Sequence, residues 1–118
     1  MSAVIGFCRC LALVVVLAGP TFANAADPAQ GLPPLAAKQH CDECHAIQEV
    51  RIGPPFQAVA LRYSAAGPGV EERLARKIMN GGAGNWGNIP MVSNERVSLE
   101  DARAIARWIL SLAPPSAR

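Results

Sequence analysis

Apolar positions recur at helical spacing in the C-terminal part of the chain. Residues 70–79 place Leu74 and Ile78 on one face, with charged side chains on the other, and an Asn-Gly-Gly at 80–82 ends the segment. Ser98 is a good helix N-cap, with Asp101 three residues later in the manner of a capping box. The stripe that follows consists of Leu99, Ala102, Ile105, Ala106, Ile109 and Leu112. Two helices are therefore predicted here.

Two shorter helices are predicted upstream. The first is opened by Pro33 and Pro34, which the first helical turn tolerates, and covers residues 35–44. The second begins at Pro55 and runs to Tyr63, before a Gly-Pro-Gly break at 67–69. No segment after residue 26 shows sustained period-two alternation, so no strand is predicted. The fold class is all-α.

The stretch 81–97 contains four glycines and a proline and is predicted to be irregular. A loop of this length in a small domain is usually functional. About four short helices around one long loop make a thin core, and such domains often need a cofactor or a staple.

The first 25 residues have the composition of a secretory signal, because 18 of them are apolar and Arg9 is the only charge. An apolar run covers 11–18 and small residues precede a cleavage site near Ala25. The domains predicted are a signal peptide over 1–25 and one domain over 26–118. Cys8 and Cys10 would be removed, and a bacterial chain would reach the periplasm. The run is short for a membrane span of roughly 20 residues, although an uncleaved anchor stays an alternative.

The net charge of +2, from 11 basic and 9 acidic residues, is not that of a nucleic-acid-binding protein. No nucleophile–base pair and no pair of acid–base carboxylates stands out, so the chain is not predicted to be an enzyme.

The sequence Cys41-Asp42-Glu43-Cys44-His45 is a C-x-x-C-H, the attachment signature of c-type haem. Two thiols three positions apart can each add to one vinyl group of the porphyrin, and the adjacent imidazole then faces the iron. One covalent haem is therefore the predicted cofactor.

Three other interpretations of these residues are weaker. A thioredoxin-like redox pair would need a strand–helix context. A structural zinc site needs four ligands, and His40 crowds the same turn as the cysteines. A disulfide between Cys41 and Cys44 would close a small loop and stabilise little.

A second axial ligand is expected from the loop that covers the opposite haem face. Met91 follows Pro90 in the glycine-rich stretch, 46 residues beyond His45, and is the predicted ligand. Met79 falls on the apolar side of a predicted helix, where core packing is the simpler role. A five-coordinate iron, or ligation by a rearranged His40, stays an alternative.

The order and spacing of these motifs resemble the short bacterial class I cytochromes c with one haem. The resemblance covers nearly all of residues 26–118. After C-x-x-C-H it rests on Ile52-Gly53-Pro54, Phe56-x-x-Val59-Ala60, Lys77-Ile78-x-Asn80-Gly81, Trp86-Gly87-x-x-Pro90-Met91 and Ala106-x-Trp108-Ile109-Leu110.

The resemblance implies a small cytochrome c fold and roles for four further haem-binding residues. The Pro54 carbonyl would accept the ring N–H of the axial histidine. Trp86 would donate its indole N–H to a haem propionate, and Lys77 would lie near a propionate as a counter-charge. Asn94 would hydrogen-bond close to the Met91 sulfur. Many relatives have proline after the ligand methionine; this chain has valine and serine there, which leaves the rigidity of the loop open.

The expected function is that of a soluble periplasmic electron carrier, monomeric, meeting redox proteins transiently and binding neither nucleic acid nor membrane stably. A six-coordinate iron would leave no vacancy for a substrate. Two alternatives share the same residues: a haem subunit bound permanently to a periplasmic dehydrogenase or reductase, and an open-site haem sensor or enzyme.

Overall fold

A computed structural model describes residues 31–117. The proposed signal peptide, Cys8, Cys10 and the first residues of the proposed domain lie outside the described residues. Four α-helices follow in chain order: α1 (Pro34–Lys38), α2 (Phe56–Tyr63), α3 (Val70–Asn80) and α4 (Leu99–Ser111). Short 3-10 turns cover Cys41–Glu43 and Pro115–Ala117. Within residues 31–117 the fold is all-α, as predicted, and no helix there is long and apolar enough to cross a membrane.

The helix ends follow local chemistry. Gly69, with a φ of 79°, precedes α3, whose first turn carries Glu71 and Glu72 where the helix dipole favours negative charge. Ser98 caps α4, because its hydroxyl accepts the backbone N–H of Asp101 at 3.1 Å. The predictions of α2, α3 and α4 are confirmed. Where the sequence predicted a helix end, the observed end lies within one residue of it.

The predicted helix over 35–44 is wrong in its second half. The α-helix ends at Lys38, and His40 adopts a left-handed φ of 58° before the 3-10 turn begins at Cys41. Two backbone bonds close this corner: His40 N–H to the Ala37 carbonyl at 2.9 Å, and Glu43 N–H to the His40 carbonyl at 3.2 Å. The reversal separates the cysteine turn from the helix before it.

The core lies where α4 packs against the other helices. Ala75 of α3 and Ala102 and Ala106 of α4 are fully buried. Ile105 is the largest fully buried side chain among the described residues. The core also contains Ala36, Phe56, Val59, Ala60, Leu74, Ile78, Val97, Ile109, Leu112 and Ala113.

Residues 81–97 form the predicted irregular stretch, which is anchored at its base by an isolated antiparallel bridge. Gly82 N–H donates to the Met91 carbonyl at 2.8 Å, and Met91 N–H donates back at 3.1 Å. Asn94 N–H then donates to the Met79 carbonyl at the end of α3, at 2.9 Å. The loop therefore leaves α3 and returns beside it.

Candidate functional site

All the residues predicted for the site line one cavity of about 1760 Å³. Apolar side chains from α2, α3 and α4 form much of its wall, including Phe56, Val59, Leu74, Ile78, Ile105 and Ile109. The predicted residues in its lining are Cys41, Cys44, His45, Pro54, Lys77, Trp86, Met91 and Asn94. A cavity of this size with a mainly apolar wall can hold a large apolar cofactor.

His45 is oriented by its neighbours. Its Nδ1 lies 2.7 Å from the Pro54 carbonyl oxygen, and because a carbonyl can only accept, Nδ1 carries the proton. Nε2 is then the basic nitrogen, able to bind a metal. The Phe56 ring stacks on the imidazole at 5.0 Å between centroids, and Trp108 packs edge-on against Phe56, also at 5.0 Å. The imidazole is thus held by a hydrogen bond and by an aromatic stack that reaches α4.

Position 53 must be glycine because a side chain there would collide with the His45 ring. A Cβ at position 53 would lie within 2.8 Å of both Nδ1 and Nε2 of His45. The backbone N–H of Gly53 donates to the Cys44 carbonyl at 2.8 Å. This closure brings the 46–53 loop back over the cysteine turn, where the Arg51 guanidinium donates to the Asp42 carbonyl.

The two cysteines are half-buried, are not joined by a disulfide and both line the cavity. Burial raises the pKa of the Cys41 thiol, and the neighbouring Asp42 carboxylate raises it further. A catalytic redox thiol needs the opposite, a lowered pKa that yields thiolate at neutral pH. No group of three or more His, Cys, Asp or Glu among residues 31–117 is arranged to hold a metal ion.

Met91 enters the cavity from the irregular stretch, and Gly81 makes its position possible. Gly81 has a φ of 67° and a ψ of −148°, close to a region that only glycine adopts readily. A Cβ there would lie 2.7 Å from the Val92 carbonyl carbon and 2.8 Å from the Ser93 nitrogen. Met79, by contrast, packs against the core and is absent from the cavity lining.

The polar residues implied by the resemblance have distinct surroundings. Lys77 is half-buried, lines the cavity and forms no ion pair with residues 31–117. Its Nζ would lie 3.1 Å from a Cβ at Gly82, beside the start of the loop. The Asn94 side-chain amide donates to the Gln39 carbonyl at 3.4 Å, so its proposed bond near the Met91 sulfur stays a prediction. Trp86 is 42% exposed at the cavity wall.

These residues fit a covalently attached haem. Cys41, Cys44 and His45 line the cavity together with Met91 from the loop, the two thiols are free, and the Nε2 of His45 carries no proton. Soft sulfur and imidazole nitrogen are the ligands that haem iron takes in cytochromes c. The sequence did not single out the close approach at Gly53, the role of Gly81 or the hydrogen bond that the Arg62 guanidinium donates to the Asn85 carbonyl, because each depends on segments distant in sequence.

The chain is similar to several known proteins. No profile of a known protein family matches it. Cytochrome c-552 of Hydrogenobacter thermophilus is 38% identical over 102 residues, which cover 86% of this chain and 94% of that protein. Cytochrome c-551 of Allochromatium vinosum is 40% identical over 78 residues, covering 66% and 82%. The crystal structure of wild-type Nitrosomonas europaea cytochrome c552 superposes with a TM-score of 0.64 at 41% identity, covering 66% of this chain and 95% of that one.

Proposed function

The chain belongs to the class I monohaem c-type cytochromes, and we propose that it carries single electrons between redox proteins through one covalently bound haem c. One observation carries the proposal: Cys41, Cys44, His45 and Met91 all line the same largely apolar cavity. When bound, the haem iron supplies the one-electron change between its ferric and ferrous forms.

The residues of the chain hold the haem and adjust its surroundings. Cys41 and Cys44 would form the thioether links, and His45 and Met91 would bind the iron. The Pro54 carbonyl keeps the His45 ring in one tautomer and orientation. A thioether ligand and apolar burial both favour the reduced state and raise the potential.

The rim of the cavity is the proposed contact with redox partners. Four apolar residues line the cavity and are largely exposed: Val50 (79%), Ile52 (63%), Ile89 (69%) and Val92 (76%). Removal of their apolar surface from water would stabilise a short-lived complex. Because the charge of the chain is nearly balanced, strong electrostatic steering is not expected, and small, weak encounter surfaces suit such a carrier.

The proposed cellular setting is the periplasm, with cleavage of the leader near Ala25 and a monomeric carrier as product. A leader rich in apolar residues supports export. If His45 and Met91 both bind the iron, no coordination site would be left for a substrate, and the protein is therefore not proposed to be an enzyme.

The test is spectroscopic. The protein, produced in a host able to mature c-type cytochromes, should retain haem after denaturing electrophoresis and give a low-spin reduced spectrum with the weak ferric sulfur-to-iron band. Met91→Ala should keep the haem and lose that band; Met79→Ala should retain both. Haem without the band in the wild type would favour an open-site sensor or enzyme. No attached haem would refute the proposed function.

A further inference from the structure

The tip of the loop that carries Trp86 has few attachments. Residues 82–90, here called the Trp86 loop, are all exposed. The loop is pinned at its base by the bridge between Gly82 and Met91. Beyond that bridge, the one backbone hydrogen bond in the loop is internal, from Gly84 N–H to the Gly87 carbonyl at 2.9 Å. Backbone bonding therefore leaves the orientation of the tip, relative to the cavity, undetermined.

Arg62, near the end of α2, attaches this tip to the helical core. Its guanidinium donates to the Asn85 carbonyl at 2.7 Å, the one hydrogen bond between residues 83–90 and another element within the described part of the chain. The same group lies over the Trp86 ring, with Cζ 4.8 Å from the ring centroid, and 5.8 Å from the centroid of Tyr63. One side chain thus combines a charged hydrogen bond with cation–π contact to the residue next along the loop.

We propose that Arg62 is a positioning residue for haem binding: it holds the Trp86 indole at the cavity wall, where its N–H can reach an acidic group of the haem. The inference rests on the proposed function, because it needs haem in the cavity. Arg62 itself does not line the cavity, so it acts through Trp86. The planar guanidinium suits both contacts, whereas a lysine ammonium would keep the charge and lose the planar stack.

The experiment measures solvent exchange of indole N–H groups in the haem-loaded, ¹⁵N-labelled protein by magnetisation transfer from water. The chain contains two tryptophans, so Trp108, packed on Phe56, is an internal reference in every sample. Arg62→Gln is expected to accelerate exchange at Trp86 by about tenfold or more, because a lost charged hydrogen bond alone corresponds to about that factor and the cation–π contact adds to it, with Trp108 unchanged. Arg62→Lys should fall between that variant and the wild type.

Arg107→Gln is the matched control, because it removes the same charge from an exposed arginine of α4, which pairs with Glu71 of α3. It should leave exchange at Trp86 at the wild-type rate. Equal exchange at Trp86 in Arg62→Gln and wild type would overturn the proposal. So would equal acceleration at both tryptophans, which would indicate general loosening, or a wild-type rate in Arg62→Lys, which would assign the effect to charge alone.

The visible spectrum of each sample separates this inference from the function on which it rests. Wild-type protein with covalent haem and unchanged exchange in Arg62→Gln would refute the positioning role alone. Wild-type protein without covalent haem would refute the proposed function, and the positioning role with it.

Discussion

Single residues around His45 decide whether its imidazole can act as an iron ligand. Pro54 accepts its Nδ1 proton and Phe56 stacks on its ring. Gly53 contributes by having no side chain, because any Cβ would enter the space of the imidazole. The requirement at Gly53 is thus one of close approach, and no positive φ is needed to explain it.

Gly53→Ala is expected to push the His45 ring away from the Pro54 carbonyl. Forcing a methyl group into a packed contact costs about 1–3 kcal/mol of folding free energy, and it should also lower the fraction of chain that carries haem. Urea unfolding and haem staining after denaturing electrophoresis measure the two effects. Gly31→Ala is the control, since a Cβ there meets nothing within 4 Å. Equal midpoints and equal staining for the two variants would contradict the expectation.

At the scale of elements, the end of α3 and the irregular stretch after it form one unit. Gly81 ends the helix, its neighbour Gly82 pairs with Met91, and the carbonyl of Met79 binds the returning chain at Asn94. The position of Met91 is therefore set by the end of a helix packed in the core. These backbone bonds hold the chain at Met91 and at Asn94, on either side of the valine and serine that stand where a proline would stiffen the loop.

Gly81→Ala tests this unit. Alanine at position 81 would have to adopt a left-handed φ, which costs about 1–2 kcal/mol of folding free energy. Its Cβ would also clash with the backbone of residues 91–93. The free energy of unfolding should be lower for Gly81→Ala than for Gly67→Ala. Gly67 has a similar φ of 73°, but a Cβ there would meet nothing within 4 Å. The sulfur-to-iron absorption band should also weaken in Gly81→Ala alone. If both variants lost the same stability and kept the band, the proposed dependence of Met91 on Gly81 would be refuted.

The pair α3 and α4 is further joined by charge. Glu72 accepts from Arg103 of α4 at 2.7 Å and from Arg76 one turn along its own helix at 2.9 Å. The hydrogen bond from Arg103 is the main cause of a lowered Glu72 pKa, with smaller contributions from the nearby positive charges. Arg107 and Glu71 form a second link between the helices at 2.7 Å.

Glu72→Gln should change how stability depends on pH. Because folding lowers the pKa of Glu72, its contribution is complete above the unfolded-state value of about 4.3 and is lost as pH falls through the lower folded value. Stability of the wild type should thus fall more steeply in that acidic window than stability of the variant. Thermal unfolding across the window measures this, with Glu49→Gln, an exposed loop position, as control. Parallel curves for wild type and Glu72→Gln would contradict the expectation.

At the scale of the whole molecule, the core is thin because its helices surround a large cavity. The buried side chains of α2, α3 and α4 surround a space of about 1760 Å³ whose wall is mostly apolar. A small domain with such a space buries too little surface of its own, and a bound apolar group would complete the packing. Binding of that group and stability of the fold are then linked.

A chain without haem should therefore lack the stable fold of the loaded protein. The double variant Cys41→Ala with Cys44→Ala, which cannot form thioether links, should show no cooperative thermal transition and a weak near-ultraviolet circular dichroism signal. Haem-loaded wild type should melt cooperatively under the same conditions. A cooperative transition of the double variant at the wild-type temperature would show that the fold does not depend on attached haem.

Sequence patterns predicted α2, α3 and α4 because their apolar spacing and end signals are local. The helix over 35–44 was predicted wrongly in its second half because it is broken at His40, whose positive φ is uncommon for any residue other than glycine and is not marked by the local pattern. The predicted site residues do share one cavity. For Asn94 the observed side-chain bond goes to Gln39, 55 positions away, a pairing that no local pattern contains.

The sequence by itself determined the chemistry: two thiols and an imidazole at fixed spacing, a methionine in a glycine-rich stretch, and helices with apolar faces. These are properties of covalent spacing and local periodicity. Tertiary structure alone decided which groups meet, namely the Pro54 carbonyl at His45, the bridge at Met91 and the guanidinium of Arg62 at the Trp86 loop. Such contacts join segments that the chain separates, and they form only when packing of the helices brings those segments together.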